Sequence, residues 1–380
     1  MDEQRSDSQV KITFGIIVLN GEPFTRYNLR ALYPFAHEII VVEGSSLNAA
    51  ISARSDGHSV DGTLEILRQF KIDEDLDQKI TIVTAEDEGY SDGFWPGEKD
   101  EQSQAYAKRA TGNWLWQVDI DEFYREDDME RVIDLLTTTP SITAVTFPEI
   151  PFWGSFDVRC DGILLRLEYS KVHRLFKWEY GYTMITHRPP TVINTEGENL
   201  RDIHWIDDKA MERLEVYLYH YTQLFPQQVS RKMAYYEEWL KAVNGNRNWI
   251  KNADKWFQKS FASLNDPYHV HTVNSWASWL EHFSGKHPHQ IEELISAIRN
   301  VEIIIHMRDM TDVEKLLTSR RYQAGIIFWK LWGDYIIRSR RITRRWMLGD
   351  LKFKEFLVQL RDVWLGKNRL FRFYFTDNRR

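Results

Sequence analysis

Trp114-Leu-Trp-Gln-Val-Asp119-Ile-Asp121-Glu122-Phe123 is the stretch that decides the fold. Gly112 and Asn113 open it, a mostly apolar run follows, and three carboxylates close it. An apolar run bounded in this way predicts a buried strand. Its C-terminal end then carries Asp119 and Asp121 into the crevice where open α/β sheets bind ligands. Residues two apart on an extended chain point the same way. Two hard oxygen donors placed there suit Mg2+ or Mn2+, which in turn binds phosphate oxygens. On this stretch alone a second reading stays open. Asp119 and Asp121 would equally cap the helix expected over Glu126 to Leu136.

The residues upstream weigh the two readings. Lys11 to Leu19 is a β-rich apolar run ending in the turn Asn20-Gly21-Glu22-Pro23, and a helix is expected over Phe24 to Phe35. Glu38 to Val42 predicts a second buried strand, closed by Glu43-Gly44-Ser45-Ser46. A polar loop leads to Ser59-Val-Asp61-Gly62-Thr63, then a helix over Leu64 to Phe70 and a third strand over Lys79 to Thr84. Glu98 to Ala110 reads as a helix feeding the strand that ends at Asp119. Strands alternating with helices predict a parallel sheet with right-handed crossovers. Asn20 and Glu22, Glu43, then Asp119 and Asp121 would share one edge of that sheet. The chain has neither GxGxxG nor GxxxxGK[ST]. A bound diphosphate would then have to be neutralised by a metal and by Lys or Arg. Of Lys99, Lys108 and Arg109 on the preceding helix, Lys99 is the best placed.

This order of motifs resembles a glycosyltransferase of the GT-A fold, family-2-like. The residues that carry it are Val18-Leu19-Asn20-Gly21-Glu22, Val41-Val42-Glu43-Gly44, Ser59-Val-Asp61-Gly62-Thr63, and Ala110-Thr-Gly112 running through to Asp119-Ile-Asp121. They cover residues 11 to 125 well, and the likeness weakens toward 225. The resemblance implies an α/β three-layer sandwich, the nucleotide-diphospho-sugar transferase fold, with a mainly α-helical C-terminal region. It implies that Glu43 holds the nucleotide base or ribose, that Asp61 shapes the same pocket, and that Asn20 and Glu22 line it. It places Asp119 near ribose and diphosphate and makes Asp121 a metal ligand of a DXD motif, with Mn2+ or Mg2+ as the metal. A His downstream of the core often supplies a further ligand in such enzymes; His220 matches that position, and His173, His187 and His204 are rivals. An inverting enzyme also needs a proton acceptor. Asp157, Glu179 and His187 are the candidates, and the His-Glu pair common in relatives is His187-Arg188 here.

The chain has 380 residues, more than one ordinary domain. The expected division is a disordered stretch over 1–9, a transferase domain over 10–225 and a helical region over 226–380. One cysteine, Cys160, excludes an intrachain disulfide and fits a reducing compartment. No apolar run approaches the roughly 18 residues of a membrane helix. The expected setting is therefore cytoplasmic, with peripheral contact at the inner face of a membrane. The net charge of −7 is uneven. Lys330 to Arg380 holds 14 Lys/Arg against 5 Asp/Glu, a local +9 that leaves −16 on the rest. Aromatic residues interleave with these cations. That composition suits either an anionic membrane surface or a packed helical subdomain with a basic outer face.

Further strands are expected over Ser141 to Ile150, Asp161 to Glu168 and Lys171 to Trp178, and helices over Gln227 to Val243, Val273 to Phe283, Pro288 to Arg299 and Thr311 to Leu317. His269, His271, His282, His287 and His289 match no zinc spacing. The reading is transfer of a sugar from a nucleoside-diphosphate donor, UDP- or GDP-linked, to a carbohydrate or lipid-linked acceptor in cell-envelope polysaccharide or glycolipid synthesis. No nucleic-acid partner is expected. Alternatives are a sugar nucleotidyltransferase, whose Gly-rich basic loop is missing, and a non-catalytic carbohydrate-binding scaffold.

Overall fold

The computed structural model describes residues 9–97, 99–166, 173–242, 261–270, 277–347 and 352–364. The first half alternates strand and helix: β1 (Ile12–Val18), α1 (Thr25–Leu32), β2 (Ala36–Glu43), α2 (Thr63–Asp73), β3 (Ile80–Val83), α3 (Lys99–Ala107), β4 (Trp114–Asp119). Next come β5 (Glu122–Phe123), α4 (Glu126–Thr138), β6 (Ala144–Thr146), β7 (Glu149–Trp153) and β8 (Ser155–Gly162). Then follow β9 (His173–Lys177), β10 (Thr183–His187), β11 (Pro190–Ile193), β12 (Trp205–Ile206), β13 (Leu218–Gln223) and β14 (Ser278–His282).

β1 pairs in parallel with β2 on one side and β4 on the other, and β2 with β3. β9 runs antiparallel between β4 and β6, so the seven-stranded sheet reads β12-β6-β9-β4-β1-β2-β3. The alternation of strand side chains builds three layers. Phe14, Ile16, Ile39, Val41, Trp114, Trp116 and Val118 face α1, α2 and α4 through Leu29, Leu67 and Val132. Ile40, Val42 and Leu115 face the opposite layer, where α3 contributes Ala105 and Tyr106. Trp116 lies flat on Phe147, ring centroids 5.0 Å apart. The α/β class and the element order therefore match the sequence reading.

Gly15 sets how closely α3 approaches the sheet. A Cβ there would sit 2.4 Å from the Tyr106 ring. The bare backbone lets Tyr106 cross β1 and donate its hydroxyl hydrogen to Gln117 Oε1 at 3.1 Å.

A second, five-stranded sheet reads β14-β8-β7-β13-β5. Its face is aromatic: Phe152 stacks on Tyr221 at 4.5 Å, and Phe24, Phe123 and Phe225 pack around them. Many of the chain's aromatic residues are spent here, in core.

Three expectations change. Ser141 to Ile150 is not one strand; it splits into β6 and β7, which belong to different sheets. In the described part of Asp161 to Glu168, the first two residues are strand, the end of β8, and Ile163–Arg166 is a helical turn. The helix expected within Val273 to Phe283 is, over its described part, strand β14. The apolar spacing there fits a helix locally. Pairing of Ser278 to His282 with Gly162 to Val158 satisfies the open edge of β8 and overrides it. Helices Pro226–Ala242, His289–Arg299 and Thr311–Leu317 lie where periodicity put them. The polar stretch 1–8 and the tail beyond 364 lie outside the described residues.

Replacing Gly15 with alanine is expected to force α3 off β1. The urea midpoint should fall by an amount equivalent to about 1–3 kcal/mol, the usual cost of overpacking.

Candidate functional site

Strand pairing brings the site together. β4 ends at Asp119, and Ile120 and Asp121 make the step into β5. β5 pairs antiparallel with β13, Tyr219 opposite Phe123 and His220 opposite Glu122. The Tyr221 N–H donates to the Asp121 carbonyl at 2.8 Å. This register carries His220 to Asp121 across some hundred residues of chain. His220 Nε2 lies 3.4 Å from Asp121 Oδ1, and His220 Nδ1 lies 2.5 Å from Glu149 Oε1. Burial works against a charged imidazole, but Asp121 and then Glu149 outweigh it and lift His220 to about 10. Burial likewise opposes ionisation of Asp121, and His220 overcomes it, holding the carboxylate at about 2.

Asp119 faces a different partner. Arg174, on β9, is 5% exposed and reaches both Asp119 Oδ2, at 3.1 Å, and the Glu122 carboxylate. The Asp119 N–H donates to the other Glu122 oxygen at 3.0 Å. Burial alone would raise Asp119; Arg174, then Lys99, hold it well below the ordinary carboxylate range. Burial drives Glu122 upward and the charge of Asp119 adds to it, against the opposing pull of Arg174.

A cleft of about 1240 Å³ opens over these groups. Its floor is the end of β1, including Asn20 and Glu22, together with Asp119 and Asp121. One wall is Gly44 to Ser46; the other is helix Pro226–Ala242. Four cations line it: Lys99, Arg188, Arg231 and Lys232. Gln228 also faces it, with Nε2 3.4 Å from Asp121 Oδ2. This is a basic pocket with three acidic side chains, Glu22, Asp119 and Asp121, at its base.

The residues expected from sequence divide into those that line the cleft and those that do not. Asn20, Glu22, Lys99, Asp119 and Asp121 line it. Asn20 holds a left-handed backbone, φ 59°, and its side chain ties down the long loop after β2: Oδ1 accepts from the Val60 N–H and Nδ2 donates to the Ser52 carbonyl. Lys99 Nζ lies 5.7 Å from the centre of the Tyr235 ring. Glu43 is not among the residues lining the cleft. Its carboxylate is fully buried, accepting from the Ser59 N–H at 2.8 Å and meeting His58 Nδ1 at 2.7 Å. The long loop after β2 folds back over that strand end and takes up the acid. Asp61 does not line it either: its oxygens accept from the Glu22 N–H, the Thr63 N–H and the Thr63 hydroxyl, and it meets the cleft-lining Arg231 at 3.4 Å.

The three base candidates are scattered. Lys177 pairs with Trp114, at the start of β4, so Glu179 emerges at the sheet edge opposite Asp119 and there meets Lys177 Nζ at 2.8 Å. Asp157 is exposed on β8, outside the cleft. His187 is 1% exposed, and the charges of Lys99, Asp119 and Arg188 reach it. Burial first, then Lys99, keep it neutral, and neither ring nitrogen has a hydrogen-bond partner among the described residues. Of the other histidines, His173 bonds Thr146 and His204 bonds Ser141, away from the cleft. Lys108 and Arg109 both pair with Glu88.

Arg174, Arg231 and Lys232 are the residues that sequence reasoning missed. A signal existed for Arg174, which directly precedes Leu175 and Phe176 in a short strand, because a charge buried there has to be paired. Arg231 and Lys232 look like any solvated helix charges; only the docking of their helix against the loop Leu47–Ser52 puts them at the cleft.

No protein-family model matches this chain, and no curated protein matches it. Solved structures do. S. aureus TarS 1-349 in complex with UDP-GlcNAc is 15% identical over 44% of this chain and 45% of that one, TM-score 0.30. Mannosyltransferase PcManGT from Pyrobaculum calidifontis, in complex with GDP-Man and Mn2+, is 12% identical over 86% of this chain and 88% of that one, TM-score 0.34. Glucosyl-3-phosphoglycerate synthase from Mycobacterium tuberculosis is 17% identical over 38% and 45%, TM-score 0.26. The chain thus spans less than half the length of the first and third of these structures.

Glu22 offers a test of the cleft's electrostatics. Burial raises it from 4.5 to about 7, with Asp61 adding to the effect, and its Oε1 has no partner among the described residues. Below pH 4.5 it is neutral folded or unfolded; between 4.5 and 7 only the unfolded chain ionises, so stability falls as pH rises through that window. Glu22→Gln removes this loss. The stability difference between variant and wild type, followed by urea unfolding from pH 4.5 to 8, should widen by on the order of 3 kcal/mol and then level off.

Proposed function

We propose that this protein transfers a glycosyl group from a nucleoside-diphosphate sugar to an acceptor hydroxyl, assisted by a divalent cation. The observation that carries the proposal is the β5–β13 register, which sets His220 Nε2 3.4 Å from Asp121 Oδ1, and Asp121 in turn lines a cleft that four cations also line.

The donor set fits a hard divalent metal that displaces the proton Asp121 and Glu149 hold on His220, since only the neutral imidazole can be a ligand. Two ligands at right angles on bonds of about 2.1 Å lie roughly 3 Å apart, close to the Asp121–His220 spacing. Glu149 on the second nitrogen of His220 is the supporting carboxylate that metal-bound histidines usually have. No group of three His, Cys, Asp or Glu gathers at one point among the described residues. Asp121 and His220 would therefore hold the ion with diphosphate oxygens and water in the other positions, a pattern typical of Mg2+. Asp119, engaged by Arg174, would act beside it on the ribose or diphosphate. A bound Mn2+ or Mg2+ supplies Lewis-acid stabilisation of the departing diphosphate.

The chain's own residues do the rest. Lys99, Arg188, Arg231 and Lys232 offset the diphosphate charge in place of a Gly-rich loop, and they are already placed before reaction, which is the condition for electrostatic catalysis. Asn20 and the Gly44–Ser46 segment face the same space and would meet the nucleoside. A UDP- or GDP-sugar is the donor expected from the resemblance, and a carbohydrate or lipid-linked hydroxyl the acceptor. No proton acceptor is assigned: burial makes His187 a weak base and it does not line the cleft, and Asp157 and Glu179 stand outside the cleft.

The test is thermal stability against UDP-, GDP-, CMP- and dTDP-sugars, with and without Mn2+. One donor should raise the melting temperature by several degrees only when metal is present, and Asp121→Ala and His220→Ala should each abolish the rise while staying folded. A folded wild type that responds to no donor would sink the reading. Arg174→Met should behave differently: it leaves two buried acids unpaired and should cost about 3–5 kcal/mol in urea unfolding, beyond any effect on binding.

A further inference from the structure

Helix Arg320–Met347 and helix Phe353–Trp364 form an antiparallel hairpin. Trp346 stacks on Phe356 at 4.8 Å and Tyr335 on Trp364 at 5.8 Å. The hairpin is fixed to the body of the protein. Tyr322 accepts from the Leu280 N–H at 2.8 Å, Lys330 pairs with Glu281, and a Cβ on Gly333 would strike Ile163. Its inner side is therefore accounted for.

Its outer side is not. Ile327, Phe328, Leu331 and Trp332 are 47–62% exposed although they recur as an apolar stripe at i, i+1, i+4 and i+5. On the second helix Phe353, Leu357 and Trp364 recur at i, i+4 and i+11, one side of a helix, and are 47–60% exposed. The two stripes meet, since the Trp332 and Trp364 rings lie 6.2 Å apart. Scattered exposed apolar residues are ordinary, but a continuous patch of this kind marks an interaction surface.

Charge chooses the occupant. Helix Arg320–Met347 carries eight Lys/Arg against one Asp, and Lys352, Lys354 and Arg361 are exposed beside the second stripe. The next residues of the sequence keep this character, with Lys367, Arg369 and Arg372 among Phe371, Phe373, Tyr374 and Phe375. A second copy of this chain would bring like charges face to face. A neutral protein groove would leave the cations uncompensated. An anionic bilayer satisfies both features, taking apolar side chains below the headgroups and phosphates against the cations. No described helix is long and apolar enough to cross a membrane.

We propose that this helical hairpin docks the protein on the surface of an anionic lipid bilayer. The proposal is independent of the donor site and survives if no sugar nucleotide binds.

The experiment is flotation of the full chain with vesicles of phosphatidylcholine alone or with one third phosphatidylglycerol, at low salt and at 0.5 M NaCl. The protein should float with the anionic vesicles at low salt only. Phe328→Gln/Leu357→Gln and, separately, Lys352→Gln/Lys354→Gln/Arg361→Gln should each weaken binding by about tenfold or more. These positions are exposed, so unchanged melting temperatures are expected and would show that the variants fold. Three results would overturn the proposal: no flotation on anionic vesicles, equal flotation on neutral ones, or full binding by both variants. A concentration-dependent dimer that the first variant abolishes, without flotation, would assign the patch to a second copy instead. Binding to a DNA duplex without flotation would assign it to a nucleic acid.

Discussion

One buried guanidinium holds the centre of this protein together. Arg174 reaches Asp119 and Glu122 at once from a position 5% exposed. Without it, two carboxylates would sit unpaired under the end of the sheet, at a cost of several kcal/mol each. With it, Glu122 is free to accept the Asp119 N–H, which closes the turn from β4 into β5. That closed turn is what starts β5 in register with β13, and the register is what delivers His220 to Asp121.

The acids around the cleft consequently divide by task. Glu43 and Asp61 are spent on backbone N–H groups and hold the long loop after β2 against the end of β1. Asp119 and Glu122 share Arg174. Asp121, His220 and Glu149 form a separate line in which the two acids hold the proton on His220 and His220 keeps Asp121 ionised. The cations come from different elements: Lys99 from the start of α3, Arg188 from the end of β10, Arg231 and Lys232 from helix Pro226–Ala242. A basic cleft assembled from three elements depends on their packing, and Gly15 is one place where that packing leaves no slack.

Much of the fold was legible in the chain. β1 to β4 and α1 to α4 stand where apolar runs and helical periodicity placed them, because β1, β2 and β4 are largely buried on both faces and each helix on one. Reading failed where a segment's partner was remote. Ser278 to His282 has helix-like spacing but completes the edge of β8. Phe147 and Pro148 pass between two sheets, a change of layer that no local pattern encodes. At the site, Asp119 and Asp121 were visible as acids closing an apolar run. Glu43 looked the same, yet faces inward, because nothing in the run itself tells which way the following loop will fold.

What the sequence by itself determined is the α/β alternation, the parallel order of the first strands and the placing of Asp119 and Asp121 at a strand's C-terminal end. These follow from side-chain periodicity and turn chemistry, which act over a few residues. What only the tertiary structure decided is which acids remain turned toward the cleft, which histidine meets Asp121, and which cations surround it. Those depend on hydrogen-bond register between strands far apart in the chain, and on the requirement that every buried charge find a partner.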